Sequence, residues 1–150
     1  MGSRRETRPP ASSPVVGRRM SLVRTSDTSP ELELRRLLHA RGLRYRVHSR
    51  PNLSIRCSPD LTFLGPKVAV FVDGCFWHGC PKHVTWPKAN AEWWRRKIER
   101  NRERDAAIAT ALGEAGWQVL RIWEHVDRHD AADLVEAAVR GKRSWTPVRP

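Results

Sequence analysis

The sequence predicts a single α/β domain in which helices cover a central sheet. The chain has 150 residues, a length that suits one domain with its own hydrophobic core. Its segments run in the order helix, three strands, helix, strand, helix, and the third strand, residues 68–72, is wholly apolar. A strand without polar residues is typical of the middle of a sheet that is buried on both faces.

The first helix is predicted to begin at Thr28. The residues Thr28-Ser29-Pro30-Glu31 match a capping box with a proline in the first turn. Leucines and an alanine between positions 32 and 40 form an apolar face, and Gly42 ends the helix. Residues 43–47 then alternate apolar and basic side chains, which is typical of a half-buried strand.

The centre of the chain is predicted to form a hairpin. Residues 51–59 are a loop, residues 61–64 a short strand, and Gly65 and Pro66 a turn that leads into the apolar strand 68–72. A stretch rich in glycine, cysteine, histidine and proline, residues 74–90, follows this hairpin.

The remainder of the chain completes the α/β order. Residues 92–115 form a long charged helix with apolar side chains at helical spacing, and Gly116 ends it. Residues 117–123 are a further strand, and residues 131–140 a closing helix. No internal repeat is found.

The net charge of +12 indicates a polyanionic partner. Most of it lies at the ends: residues 1–25 carry six arginines against one glutamate, and residues 140–150 carry four basic side chains and no acid. Such arms attract phosphates without reading sequence, and a membrane surface would attract them too. Residues 1–19, rich in proline and serine, are expected to be a disordered basic arm, and residues 141–150 a basic tail.

Cysteine content and hydropathy predict a cytoplasmic protein. Three cysteines, an odd number, argue against a disulfide framework and for a reducing compartment. There is no run of about 18 apolar residues and no secretory leader pattern. Membrane insertion and secretion are therefore not expected.

Two aspartates mark a candidate metal site at the ends of the predicted strands. Asp60 precedes one strand and Asp73 follows the next, so a short hairpin would bring their carboxylates together. Two close carboxylates repel each other, and Mg²⁺ relieves that repulsion. Each aspartate also fits a plain turn residue. His78 lies nearby and has a pKa range suited to activating a water, although a structural histidine fits as well.

A second group of residues resembles half of a zinc site. Cys75, Cys80 and His83 have the spacing C-x4-C-x2-H, and His125, beyond the long helix, is the candidate fourth ligand. Thiolate and imidazole groups suit Zn²⁺, which would fix the 74–90 loop to the end of the last strand. The alternative is two buried free thiols.

Aromatic side chains crowd around these polar residues. Five large rings lie within nineteen residues: Phe76, Trp77, Trp86, Trp93 and Trp94. Core packing accounts for some of them. In a basic protein they also fit apolar wedges that enter a DNA duplex and unstack its base pairs.

Taken together, these motifs resemble the very short patch repair endonucleases, a family of DNA mismatch nucleases, over residues 20–126. The resemblance rests on the following residues, in this order and spacing: Met20, Asp27-Thr28-x-x-Glu31, Pro59-Asp60, Val72-Asp73-Gly74-Cys75-Phe76-Trp77-His78, Glu92-Trp93-Trp94, Asn101-x-Glu103-Arg104-Asp105, and Gly116-Trp117-x-Val119-Leu120-x-Ile122-Trp123-Glu124.

The resemblance implies a restriction-endonuclease-like fold with a three-layer core, a structural zinc and Mg²⁺-dependent nicking. The nick falls 5′ of the thymine in a G·T mismatch that arises when 5-methylcytosine is deaminated. By resemblance, Asp60 and the main-chain carbonyl of Val72 bind Mg²⁺, His78 is the catalytic histidine, and Glu31 supports the site. Phe76, Trp77 and Trp94 match the aromatic wedge, and Met20 matches a residue of the N-terminal arm that reaches the opposite groove.

Two departures from the family pattern have chemical consequences. Asp73 stands where the best-known member has a histidine, so Asp73 is a candidate second metal ligand that alters water activation. In the zinc site, His125 replaces a thiolate, and Cys80 and His83 replace a His/Cys pair. Four-coordinate zinc still fits this set.

The sequence therefore predicts a domain over residues 20–140 that acts as a monomeric, bacterial, nucleoid-associated DNA mismatch endonuclease, with a possible functional link to a cytosine-5 DNA methyltransferase. Two alternatives remain. One is a restriction or defence nuclease of the same fold, and the other is a zinc-stabilised DNA-binding protein without catalysis.

Overall fold

A computed structural model describes Pro10 and residues 28–75, 79–82 and 88–141 of the chain. Its elements in chain order are α1 (Ser29–Ala40), β1 (Arg46–Val47), β2 (Leu61–Phe63), β3 (Val68–Asp73), α2 (Ala91–Glu114), β4 (Gln118–Trp123) and α3 (Arg128–Arg140). The predicted α/β order is confirmed. The predicted basic arm and tail, residues 1–19 and 141–150, lie almost wholly outside the described residues.

The four strands form one mixed sheet in the order β1-β2-β3-β4. β1 and β2 are antiparallel, β2 and β3 form the predicted antiparallel hairpin, and β3 and β4 are parallel. The parallel pair needs a crossover connection, which α2 supplies. As a result, the end of β3, the start of β2 and the end of β4 all lie at one end of the sheet.

The main hydrophobic core lies between one face of the sheet and the helices α1 and α3. Leu34 and Leu38 of α1 and Val135 of α3 pack there against Val70 and Leu120. Alternate residues of a strand point to opposite faces, and the intervening side chains of β3 and β4 face α2. The sheet is therefore covered on both sides, as the apolar composition of β3 predicted.

An ion-pair cluster fixes α1 to α3. Arg41, just after α1, donates through Nη1 to Asp133 Oδ1 at 2.7 Å and to Glu136 Oε2 at 2.8 Å. Arg140 in turn donates to the main-chain carbonyl of Arg41 at 2.8 Å. These contacts set the position of α1 and hence of the first-turn residue Glu31.

Two local predictions were wrong. Thr28 is the N-cap of α1, but its side chain makes no capping hydrogen bond, and Glu31 instead pairs with Arg35 one turn on. α3 begins at Arg128 rather than residue 131, because the carboxylate of Asp127 accepts hydrogen bonds from the main-chain N–H groups of His129 and Asp130.

The first predicted strand is also shorter than expected. Only Arg46 and Val47 pair with β2, whereas the sequence predicted residues 43–47. Among the described residues, no helix is both long enough and apolar enough to cross a membrane.

Candidate active site

Asp60 lies directly before β2, at the end of the sheet where β3 and β4 finish, as the sequence predicted for its place at the head of a strand. Its Oδ2 accepts a 2.7 Å hydrogen bond from the main-chain N–H of Val72 in β3. The last residue pair of the β2–β3 hairpin is Leu61 opposite Val70. The carboxylate of Asp60 thus accepts from the next free main-chain N–H along β3. This bond fixes the Asp60 side chain at the point where the main-chain pairing of the hairpin ends.

Burial makes Asp60 an unusual carboxylate. Its pKa is raised from 3.8 to about 6, mainly because it is removed from water and also because the negative charges of Glu31 and Asp73 lie nearby. The hydrogen bond from Val72 and the nearby His48 act in the opposite direction. A divalent cation would stabilise the ionised form of a carboxylate such as Asp60 that lies near other carboxylates.

Glu31 reaches this group from the first turn of α1. It is only 2% exposed, and its Oε1 is held by the guanidinium of Arg35 one helical turn away. A buried glutamate needs such a partner. The predicted position of Glu31 beside Asp60 is consistent with this geometry, and the pairing with Arg35 is an additional feature.

His48 is a member of this group that the sequence reasoning missed. Its Nε2 lies 4.0 Å from Glu31 Oε1 and 3.3 Å from Arg35 Nη2. One ligand atom from each of Glu31, His48 and Asp60 can be chosen so that all three lie within 4.8 Å of one another. A single histidine in a loop belongs to no recognisable sequence motif. Only the register between β1 and β2 shows that His48 lies beside Asp60.

Asp73 lies at the end of β3 and faces the α2 side of the sheet. Both of its carboxylate oxygens accept from Arg121 Nη1, at 3.1 and 3.3 Å. The same guanidinium lies 3.6 Å from Asp105 of α2 and 4.3 Å from the ring centroid of Phe71. Asp73 is near enough to raise the pKa of Asp60, while its own charge is matched by Arg121, which sequence reasoning also missed.

Three of the four predicted zinc ligands, Cys75, Cys80 and His125, converge at the end of β4. His125 Nδ1 lies 3.2 Å from Cys75 Sγ and 3.7 Å from Cys80 Sγ. Burial and the neighbouring Cys80 thiol raise the pKa of Cys75 to about 11. A bound Zn²⁺ reverses such an effect, because it stabilises the thiolate form of its cysteine ligands.

Main-chain contacts fix the loop that carries the two thiols. The N–H of Cys80 donates to the carbonyl of Cys75 at 2.8 Å, and the N–H of Cys75 donates to Glu124 Oε1 at 3.0 Å. The two residues directly after β4 therefore supply the imidazole of His125 and the Glu124 carboxylate that holds the loop.

Several residues predicted for the site lie outside the described residues, namely Met20, Phe76, Trp77, His78 and His83. Of the predicted wedge, Trp94 is described. It is 6% exposed in the first turn of α2, and its ring packs edge-to-face on Trp93 with 4.8 Å between centroids.

Comparisons with known proteins show which family this chain resembles. A family model described as DNA mismatch endonuclease Vsr matches residues 16–84. The chain is 45% identical to the type II nicking enzyme V.NaeI of Lentzea aerocolonigenes over 120 residues, which cover 79% of this chain and 72% of that one. It is 39% identical to the type II nicking enzyme V.XorIIP of Xanthomonas oryzae pv. oryzae over 106 residues, covering 70% and 76%. It is 35% identical to the DNA mismatch endonuclease Vsr of Escherichia coli strain K12 over 127 residues, covering 84% and 80%.

Proposed function

Because this chain belongs to the Vsr family of DNA mismatch endonucleases and is therefore a hydrolase that cuts DNA, we propose that it nicks one strand 5′ of the thymine in a G·T mismatch left by deamination of 5-methylcytosine. Family membership removes the alternative of a DNA-binding protein without catalysis. The name "nicking enzyme" carried by two of the relatives supports a cut in one strand.

The observation that carries the proposal is the half-buried carboxylate of Asp60 directly before β2. Its raised pKa of about 6 and its closeness to Glu31 fit a site built to hold a divalent cation. Asp60 and the main-chain carbonyl of Val72 would hold Mg²⁺, with Asp73 as a candidate second ligand. The metal would polarise the scissile phosphate and stabilise the charge that develops on it.

The chain's own groups then divide the remaining work. Glu31, held by Arg35, supplies fixed negative charge beside Asp60. His78 follows the Asp73 strand end by five residues and is proposed to take a proton from the attacking water. Asp73 is paired with Arg121 at 3.1 Å, so it would bind the metal only by exchanging this partner.

Recognition of the mismatch is proposed to rest on aromatic residues and basic arms. Phe76, Trp77 and Trp94 would act as the wedge, since unstacking a weakly paired G·T step costs less than unstacking a matched step. Met20 and the basic arm would reach the opposite groove. A single asymmetric mismatch has no two-fold symmetry, so a monomer suffices to bind it. A cytosine-5 methyltransferase would supply the 5-methylcytosine whose deamination generates the mismatch.

A structural zinc is proposed at the end of β4. Cys75, Cys80 and His125 supply three ligands of the right chemistry, and His83 is proposed as the fourth. The metal would hold the loop between β3 and α2, which carries the proposed wedge and His78. This zinc and the restriction-endonuclease-like core are proposed together.

A matched-duplex comparison tests the proposed substrate. Short duplexes that differ only in one G·T or G·C pair, in varied sequence contexts, are incubated with the protein and Mg²⁺ and resolved on a denaturing gel. We expect one nick, on the thymine strand only, 5′ of the mismatched thymine. Double-strand cleavage of matched DNA would contradict the proposal and favour the alternative, a nuclease of restriction or defence.

A further inference from the structure

His48 sits beside the proposed metal site because of strand register. Val47 of β1 pairs with Leu61 of β2, and the strands are antiparallel. His48, the first residue after β1, therefore lies alongside Asp60, the residue that precedes β2. Its backbone has a φ of 51°, in the left-handed region that ends the strand after only two residues.

The ring of His48 faces the charged groups of this site. Its Nε2 lies 3.3 Å from Arg35 Nη2 and 4.0 Å from Glu31 Oε1. Imidazole nitrogen is a common metal ligand in proteins.

The three candidate donors form a mixed nitrogen and oxygen set. Glu31 and Asp60 each offer a carboxylate oxygen, and their ligand atoms lie within 4.8 Å of each other and of a His48 ring nitrogen. The His48 side chain is 39% exposed while that of Glu31 is 3% exposed. An ion from solvent thus has access from the His48 side.

We propose that His48 is a ligand of the catalytic metal together with Glu31 and Asp60, and that its imidazole gives this site a preference for Mn²⁺ over Mg²⁺. The proposal rests on the proposed metal-dependent nicking and adds a residue and a metal preference to it. Mg²⁺ favours oxygen ligands and keeps its waters, whereas a first-row transition-metal ion such as Mn²⁺ accepts an imidazole nitrogen more readily than Mg²⁺ does. Arg35 would turn from Glu31 as the ion takes over that charge.

The test measures metal binding on the full chain without DNA. Mn²⁺ is added, and electron spin echo envelope modulation detects ¹⁴N nuclei that are directly bonded to it. We expect a ¹⁴N signal in the unaltered protein and its loss in His48→Asn. Asparagine suits the left-handed backbone at this position and carries no imidazole. The matched control is His39→Asn, because His39 is an exposed histidine on α1, and this variant should keep the signal.

A competition experiment gives the metal preference. The Mg²⁺ concentration that displaces half of the bound Mn²⁺ is read from the paramagnetic resonance signal of the freed ion. In His48→Asn, we expect the affinity for Mn²⁺ to fall about tenfold and the affinity for Mg²⁺ to change much less. Circular dichroism checks that each variant is folded.

Three results would overturn the proposal: a ¹⁴N signal that persists in His48→Asn, bound Mn²⁺ without ¹⁴N in the unaltered protein, or equal losses of Mn²⁺ and Mg²⁺ affinity. Absence of Mn²⁺ binding would overturn it as well. The substrate proposal fails by a different result, namely equal nicking of G·T and G·C duplexes, which leaves the nitrogen signal unaffected.

Discussion

The main-chain N–H of Val72 donates to Oδ2 of Asp60 across the end of the β2–β3 hairpin, at 2.7 Å. This bond ties the proposed metal-binding carboxylate to the same strand residue whose carbonyl is its proposed co-ligand. The distance between these two proposed metal ligands, the Asp60 carboxylate and the Val72 carbonyl, is therefore set by sheet geometry rather than by a loop. Such a site is held in place by the fold.

The first prediction concerns the role of Asp60 in nicking. Asp60→Ala should abolish Mg²⁺-dependent nicking of the G·T duplex, because the site loses its central carboxylate. The affinity for DNA should stay within about tenfold, since binding rests on phosphate contacts and on the proposed wedge. Gel nicking and fluorescence anisotropy measure the two quantities. Undiminished nicking would contradict the assignment.

The second prediction uses the raised pKa of Asp60. Its carboxyl has a pKa of about 6 in the folded protein against 3.8 for the ordinary group. The folded chain therefore binds more protons than the unfolded chain between these values, and stability falls as the pH rises through roughly 4 to 6. At pH 7.5 the Asp60 carboxyl is ionised, so the metal-free protein has lost all of the stability that its protonated form contributes.

Asp60→Asn removes that charge and keeps an oxygen that can accept from Val72. We expect the free energy of unfolding at pH 7.5 without divalent metal to rise by about 2 kcal/mol, and the gain to vanish near pH 4. Urea titrations at both pH values measure it, with Glu103→Gln, an exposed change on α2, as the control. A variant that is less stable at pH 7.5 would argue against a destabilising charge at this position.

The sequence predicted the sheet and the positions of Asp60 and Asp73 at the strand ends, because both follow from local patterns. The apolar run 68–72 is the inner strand β3, and Asp60 and Asp73 lie at the strand ends where turn signals placed them. Cys75, Cys80 and His125 meet as their spacing suggested. In each case the pattern is continuous in sequence or carries a known ligand spacing.

The residues that the sequence did not reveal depend on register and on side-chain pairing between elements. His48 comes beside Asp60 only because Val47 pairs with Leu61, and a shift of one residue would turn it to the other face. Arg121 is one basic residue in a strand, and nothing local indicates that it matches Asp73 on the parallel neighbour. Thr28 fits the capping-box pattern, yet Glu31 is drawn to Arg35 instead.

The third prediction concerns zinc. If Cys75, Cys80, His83 and His125 hold Zn²⁺, protein purified from zinc-supplemented medium should contain one Zn per chain, and a strong chelator should lower its Tm, because metal binding is coupled to folding. Cys80→Ser should lose the metal, and Cys57→Ser, a change at the cysteine outside this cluster, should keep it. Elemental analysis and calorimetry provide the measurements. Zinc-free protein with an unchanged Tm would contradict the zinc site and favour the alternative, two buried free thiols.

The last prediction concerns the ion pair between Arg121 and Asp73. The Asp73 side chain is 8% exposed, and Arg121 Nη1 lies 3.1 Å from its Oδ1. Arg121→Leu leaves that carboxylate buried without its cation, and breaking such a pair costs about 3 kcal/mol. Replacing both partners removes the unpaired charge, so Arg121→Leu combined with Asp73→Asn should recover much of the lost stability. Urea unfolding of the two single variants and the double variant gives the coupling energy. Additive losses would mean that Asp73 does not depend on Arg121, and would leave its carboxylate available to the proposed metal.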